Sequence, residues 1–191
     1  MLVLARGGGF CYNRDKRNER GKSVPQEDMK QAPEQTTLCY LEKDGAYLML
    51  HRNKRGESDM NNGLWMGVGG HFETGEDAEA CMKREVWEET ALTPTAYRKR
   101  GEILFESDRY PSEVMHLFVV TDWTGELGEC DEGELAWIDK AQVPLLPAWE
   151  GDRYFLAELA QDTPYFTMKL TYCGSTLTKV EKNGTPIPLQ K

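Results

Sequence analysis

Gly70-His71-Phe72-Glu73-Thr74-Gly75-Glu76, then seven residues, then Arg84-Glu85-Val86-Trp87-Glu88-Glu89-Thr90-Ala91-Leu92 is the stretch that decides how this chain is read. Asp77, just after the first block, can cap a helix, and neither Pro nor Gly interrupts the run to Thr90. On such a helix Glu85, Glu88 and Glu89 stand at i, i+3 and i+4 and share one face, an arc of roughly 100°. Three exposed like charges there repel by about a few tenths of a kcal/mol per pair. A divalent cation turns that liability into a ligand set, and oxygen-only donors select hard Mg2+, Mn2+ or Ca2+ over zinc. Taken alone, E-x-x-E-E reads as a solvated acidic face. The residues on either side reverse that reading.

Upstream, Leu38–Leu41 and Ala46–His51 are short apolar runs flanking an Asp44-Gly45 turn, a strong hairpin signal. A polar loop from Arg52 to Gly63 leads into Leu64–Gly70, which reads as a short strand ending in a glycine turn. Downstream, Tyr97–Phe105, Val114–Thr121 and Glu134–Ile138 read as strands. Pro147–Gln161 reads as a second helix, stopped by Asp162-Thr163-Pro164, and Tyr165–Tyr172 with Thr176–Val180 as a closing hairpin around Cys173-Gly174-Ser175. Strands and helices alternate without a βαβ rhythm, so the expected class is α+β with a mixed sheet.

The chain of 191 residues carries 32 acidic and 23 basic residues, a formal charge of −9. That balance argues against binding a nucleic-acid polymer or an anionic membrane surface. No run reaches the roughly 20 apolar residues of a transmembrane helix, and Met1–Ala5 is too short for a signal-peptide core. The five cysteines are scattered, with no C-x-x-C pair, which fits reduced thiols in a cytoplasmic protein. Residues 1–28 are basic by two charges and lack apolar periodicity. The expected organisation is a disordered or non-native extension over 1–36, with Met29 as the natural start, a domain over 37–182 and a tail over 183–191.

The stretch from Gly70 to Leu92 resembles the Nudix box, G-x5-E-x7-R-E-U-x-E-E-x-G-U with U bulky aliphatic, at eight of its nine defined positions. Chance would produce such a match on the order of once in a hundred thousand sequences of this length. The exception is Ala91, where the pattern has Gly; a small shift of the helix end is expected there. The resemblance, looser outside the box, runs from about Leu38 to Val180.

The resemblance implies an α/β/α sandwich with a mixed sheet, in which the box forms a loop–helix–loop holding Mg2+, with Mn2+ as a substitute. It makes Glu85, Glu88 and Glu89 metal carboxylates, helped by the carbonyl of Gly69 or Gly70. Glu76 becomes the partner of Arg84, a guanidinium–carboxylate clamp that keeps the site aimed. Further features resemble the branch that hydrolyses oxidised purine nucleoside triphosphates such as 8-oxo-dGTP. Glu132 falls where that branch has an additional acid facing the metals, a base or extra ligand. Trp149 and Asp152 fall where it stacks on the purine and bonds its edge. Arg52 and Arg55 are candidates for phosphate contact, and His71 for a position beside the phosphates. Plainer readings stay open: surface charges for Arg52, Arg55 and Glu132, a rim aromatic for Trp149, a turn residue for His71. The branch often has a second acid where this chain has Gly151, and a polar reader where it has Met66.

The expected activity is a Mg2+-dependent nucleoside triphosphate diphosphatase, monomer or homodimer, giving a monophosphate and pyrophosphate. Alternatives are hydrolysis of another nucleoside diphosphate derivative, such as ADP-ribose or a dinucleoside polyphosphate, or a nucleotide-binding module without turnover. The reactive motifs of isopentenyl diphosphate isomerases, which share the fold, are not evident.

Overall fold

The computed structural model describes residues 32–56 and 59–190. Strands β1 (Glu34–Lys43) and β2 (Ala46–His51) form the expected hairpin, with Asp44 and Gly45 both at positive φ in its turn. Then come β3 (Trp65–Met66), helix α1 (Ala78–Thr90), β4 (Thr93–Ser107), β5 (Glu113–Thr124) and β6 (Glu134–Asp139). A 3-10 turn at Val143–Leu145 precedes α2 (Asp152–Ala160), and β7 (Phe166–Cys173), β8 (Thr176–Lys182) and β9 (Thr185–Ile187) close the chain.

These strands make one mixed sheet in the order β3-β2-β1-β5-β4-β7-β8-β9, with β6 on β2. The β1–β5 and β4–β7 pairs are parallel and the others antiparallel. Alternation along the central strands sorts the core into two layers. Cys39, Leu41, Leu48, Leu50, Phe118 and Val120 pack with Met82 and Val86 of α1. Leu38, Tyr40, Met49, Leu117 and Val119 pack on the other face with Phe155, Leu156 and Leu159 of α2. A helix layer therefore covers each face of the central sheet, the expected α/β/α sandwich.

Several expected boundaries move. The extension assigned to 1–36 gives up Glu34–Thr36, which pair with Glu113–Met115, and Thr36 and Thr37 are buried. The tail assigned to 183–191 contains β9, which pairs with β8. The remaining expectations about the first 31 residues lie outside the described residues. The strand expected over Leu64–Gly70 is cut to Trp65–Met66, because the glycine-rich run leaves β2 and crosses to β1. There the Val68 carbonyl accepts from Cys39 N at 2.7 Å and the Gly70 carbonyl from Thr37 N at 2.8 Å. The helix expected over Pro147–Gln161 begins only at Asp152, and the Pro147 carbonyl instead accepts from Trp65 N at 2.8 Å.

At the other helix, Asp77 caps α1 as expected, accepting from Glu79 N and Ala80 N at 3.0 and 2.9 Å. The helix end does not shift. Ala91 itself takes the left-handed conformation at φ 60°, ψ 10°, and its N–H bonds the Trp87 carbonyl at 2.8 Å.

Candidate active site

The crossing segment Gly67–His71 and helix α1 build one wall of an open cleft of about 500 Å3. Gly69 sits at φ +147°, and a β-carbon there would lie 2.2 Å from the Thr37 carbonyl oxygen. A β-carbon on Gly70 would lie 2.4 Å from Glu85 Oε1. Gly69 is thus required by its own backbone and that of Thr37, whereas a side chain at Gly70 would push the Glu85 carboxylate aside.

Glu89 points inward from α1, 6% exposed, and accepts the Gly69 N–H at 2.8 Å. Burial pushes its pKa up to about 8; that N–H bond works against the rise, and the charges of Glu132 and Glu85 add to it. Glu85 is raised too, by burial first, with the Arg84 guanidinium pulling the other way. Glu88 is the most exposed of the three, 48% at its side chain.

Arg84 is the hub of the loop and helix. Nε and Nη2 clamp Glu76 at 2.7 and 2.8 Å, Nη1 reaches Glu85 at 2.7 Å and Glu88 at 3.0 Å, and Nη2 also donates to the His71 carbonyl at 2.9 Å. The clamp and the Glu73 N–H hold Glu76 down at a pKa of about 2. The expected Glu76–Arg84 pair is present.

The expected three-carboxylate ligand set is not closed. Arg84 draws Glu85 and Glu88 to one side while the Gly69 N–H anchors Glu89 on the other. Among the described residues, only Glu34, His71 and Glu113 bring three ligand atoms within 4.8 Å of one another. The donor chemistry on α1 still fits a hard cation: three carboxylates on one face, one of them buried in the field of Glu132 and Glu85. The Gly70 carbonyl is engaged by Thr37 N and, at 3.6 Å, by the Cys81 thiol, so of the two glycines Gly69 is the better placed to offer an oxygen.

Glu132, from the loop before β6, lines the cleft and is gripped by Arg52 and Arg55, while Arg52 also holds Asp59. The two arginines therefore line the cleft as ion-paired groups. His71 lies at the rim, 63% exposed at its side chain, with Nε2 at 3.0 Å from Glu34 Oε2.

Beside the acidic cleft lies a small apolar pocket of about 70 Å3, and the two share Leu38, Asn61, Met66, Glu113 and Met115. Trp149 and Asp152 line this pocket. The Trp149 ring is braced edge-on by Phe105, Tyr110 and Tyr172, at centroid distances of 5.7, 5.9 and 5.2 Å, and its Nε1 donates to Asn61 Oδ1 at 2.8 Å. Asp152 opens α2, and burial alone pushes its pKa up to about 7. No hydrogen-bond partner among the described residues reaches its carboxyl. Gly151 has no room for an acid: a β-carbon would lie 2.6 Å from the Tyr172 hydroxyl, which accepts the Gly151 N–H at 2.8 Å.

Sequence reading missed Asn61, Phe105, Glu113, Met115 and Tyr172, which come from the polar loop and from β4, β5 and β7. Of these only Asn61, in the Asn61-Asn62-Gly63 turn before Trp65, carried a local signal.

A family model described as the NUDIX domain matches residues 33–159. The chain belongs to the Nudix family. A zebrafish (Danio rerio) relative named oxidized purine nucleoside triphosphate hydrolase is 36% identical over 118 residues, 61% of this chain and 72% of the relative. A Bacillus subtilis protein, named only as the uncharacterized Nudix hydrolase YvcI, is 31% identical over 128 residues, 64% of this chain and 77% of its own. Among solved structures, the Bacillus halodurans MutT protein superposes with a TM-score of 0.70 at 24% identity, covering 80% of this chain and 99% of that one. This likeness establishes the Nudix fold. Membership makes the chain a Nudix hydrolase, in a family that acts on nucleotide substrates with divalent metal. No helix among the described residues is long and apolar enough to cross a membrane.

Proposed function

We propose that this Nudix hydrolase is a Mg2+-dependent nucleoside triphosphate diphosphatase acting on oxidised purine nucleotides such as 8-oxo-dGTP, releasing the monophosphate and pyrophosphate. The observation that carries the reading is the continuity of the acidic cleft with the Trp149–Asp152 pocket through five shared residues. A purine in the pocket leaves its phosphates along the cleft. The name of the zebrafish relative points to the same substrate class.

Glu85, Glu88, Glu89 and the Gly69 carbonyl would hold the cation, which would supply positive charge against the phosphates and activate water for attack. Mn2+ would fit the same oxygen donors. Arg52 and Arg55 meet the phosphates. In doing so they loosen their grip on Glu132, whose carboxylate then accepts a proton from the attacking water. Trp149 offers an aromatic surface to the base, worth about 1–3 kcal/mol when stacked. Asp152, titrating near neutrality, can donate to a purine acceptor when protonated and accept from an N–H when ionised. In this reading the enzyme works on free nucleotides in a reducing cytoplasm, as a monomer or homodimer, where Cys39, Cys81 and Cys130 stay as buried thiols.

The test is a Mg2+-dependent product assay over dGTP, 8-oxo-dGTP, 2-oxo-dATP, ADP-ribose and diadenosine tetraphosphate. Selective pyrophosphate release from the oxidised purines supports the proposal. Preference for ADP-ribose or the dinucleotide overturns the base-reading part, and no turnover of any nucleotide overturns the activity.

A further inference from the structure

Glu34 and Glu113 face each other across the parallel β1–β5 pair, in direct register, at the rim of the cleft. Like charges directly opposite on one sheet face repel. The crossing segment brings a third group to them: the isolated bridge between Thr36 and His71 sets the imidazole beside Glu34, Nε2 to Oε2 at 3.0 Å. One imidazole nitrogen and two carboxylate oxygens then lie within 4.8 Å of one another.

A second feature points into this cluster. Thr36 alternates with Glu34 on β1, so its side chain shares their sheet face, and it is only 4% exposed. Its Oγ1 is shut off from solvent with no partner at normal hydrogen-bond geometry. It faces the Glu113 carboxyl, whose pKa is raised, by burial first, with the His71 charge and then the Thr36 hydroxyl working against the rise. A buried hydroxyl with no partner at normal hydrogen-bond geometry is uncommon in folded proteins and leaves room for a bound ligand or water.

We propose that Glu34, His71 and Glu113 form a second cation site, distinct from the α1 carboxylates, for a borderline divalent metal such as Zn2+, Co2+ or Mn2+. Thr36 would bond a ligand water or the Glu113 oxygen that the metal leaves free. The mixed nitrogen and oxygen donor set favours these ions over Mg2+, whose preference is for oxygen alone. Three donors at about 2.0–2.2 Å from one such ion lie about 3.4 Å apart in a tetrahedron and at most about 3.8 Å apart in a plane, so closing the site draws the donors together by up to roughly 1 Å. Thr36, His71 and Glu113 also line the catalytic cleft, so the ion would sit on the wall that the substrate phosphates pass.

The probe is Co2+, added to the full-length protein in a large excess of Mg2+, which occupies oxygen-only sites. The readouts are the visible absorption of protein-bound Co2+ and the NMR signals of the three histidines, His51, His71 and His116. The expected result is about one equivalent of bound Co2+ with a visible band, and selective loss of the His71 signal while His51 persists. H71A should remove the band and lower Co2+ affinity at least tenfold, and E113Q should weaken it similarly. Zn2+ should displace the Co2+. No visible band in the wild type, or a band that survives in H71A, overturns the proposal. The wild-type His71 readout keeps the test decisive even if a variant fails to fold. None of these readouts depends on nucleotide turnover, so the proposed activity and the second site stand or fall separately.

Discussion

Ala91 is the box residue where the chain departs from the Nudix pattern, and it bears that departure as local strain. Its left-handed conformation costs an L-residue with a β-carbon about 1 kcal/mol. A91G is therefore expected to raise the melting temperature by about 2–4 °C without moving the helix end, as read by thermal unfolding. Glu89 presents the opposite case, a buried carboxylate whose ionisation opposes folding. E89Q keeps an oxygen for the Gly69 N–H and removes the charge, so it should melt no lower than wild type. The same change should cut kcat by on the order of 10²-fold or more in the diphosphatase assay; an unchanged rate would strike Glu89 from the proposed machinery. Asp152 is read by pH. Its folded pKa of about 7 exceeds the ordinary 3.8, so the folded state holds its proton more tightly than the unfolded chain. Stability from this group is complete below about 3.8 and is lost as pH rises towards about 7. D152N should melt several degrees above wild type above that range and show no gain below it.

Helix α1 and the loop before it act as one unit, because Arg84 ties Glu76, Glu85, Glu88 and the His71 carbonyl together. The Glu76 carboxylate lies well below its ordinary pKa of 4.5, at about 2. Its stabilisation is complete above 4.5 and lost as pH falls through about 2. E76Q is expected to lower the melting temperature by a few degrees near neutrality, with the gap to wild type closing as acid is added through that range. A gap that stays constant down to the acid limit would show that the clamp does not stabilise through its charge. The helix itself was legible in the sequence, since the Asp77 cap and the run to Thr90 without Pro or Gly are local signals. Helix α2 was legible only in part: the segment before Asp152 spends its hydrogen bonds on Trp65, a partner more than 80 positions away that no local pattern announces.

At the scale of the molecule, both core layers among the described residues run between Leu38 and Ile187, and the NUDIX match begins at residue 33. A chain starting at residue 32 is therefore expected to melt within about 2 °C of the full-length protein and to keep its nucleotide turnover. A larger fall, measured by calorimetry, would show that the first residues contribute to the domain. The Trp149–Asp152 pocket also belongs to this scale, for its lining converges from β1, β4, β5, β7 and the Asn61 loop.

The sequence by itself determined the α1 helix with its cap and the carboxylate face, because each is set by spacing within about 20 residues; the family and the Glu76–Arg84 clamp were legible through the resemblance of the Gly70–Leu92 stretch to the Nudix box. Through the same resemblance it put forward Glu132, Trp149 and Asp152 as candidate site residues. Only the tertiary structure decided how those carboxylates divide between Arg84 and the Gly69 N–H. It likewise decided that Gly151 has no room for an acid, and that Glu34, His71 and Glu113 converge. The reason is physical: these arrangements are fixed by strand register and by the crossing of Gly67–His71 from β2 to β1. Such contacts join residues tens of positions apart, and the chemistry of neighbouring residues along the chain carries no record of them.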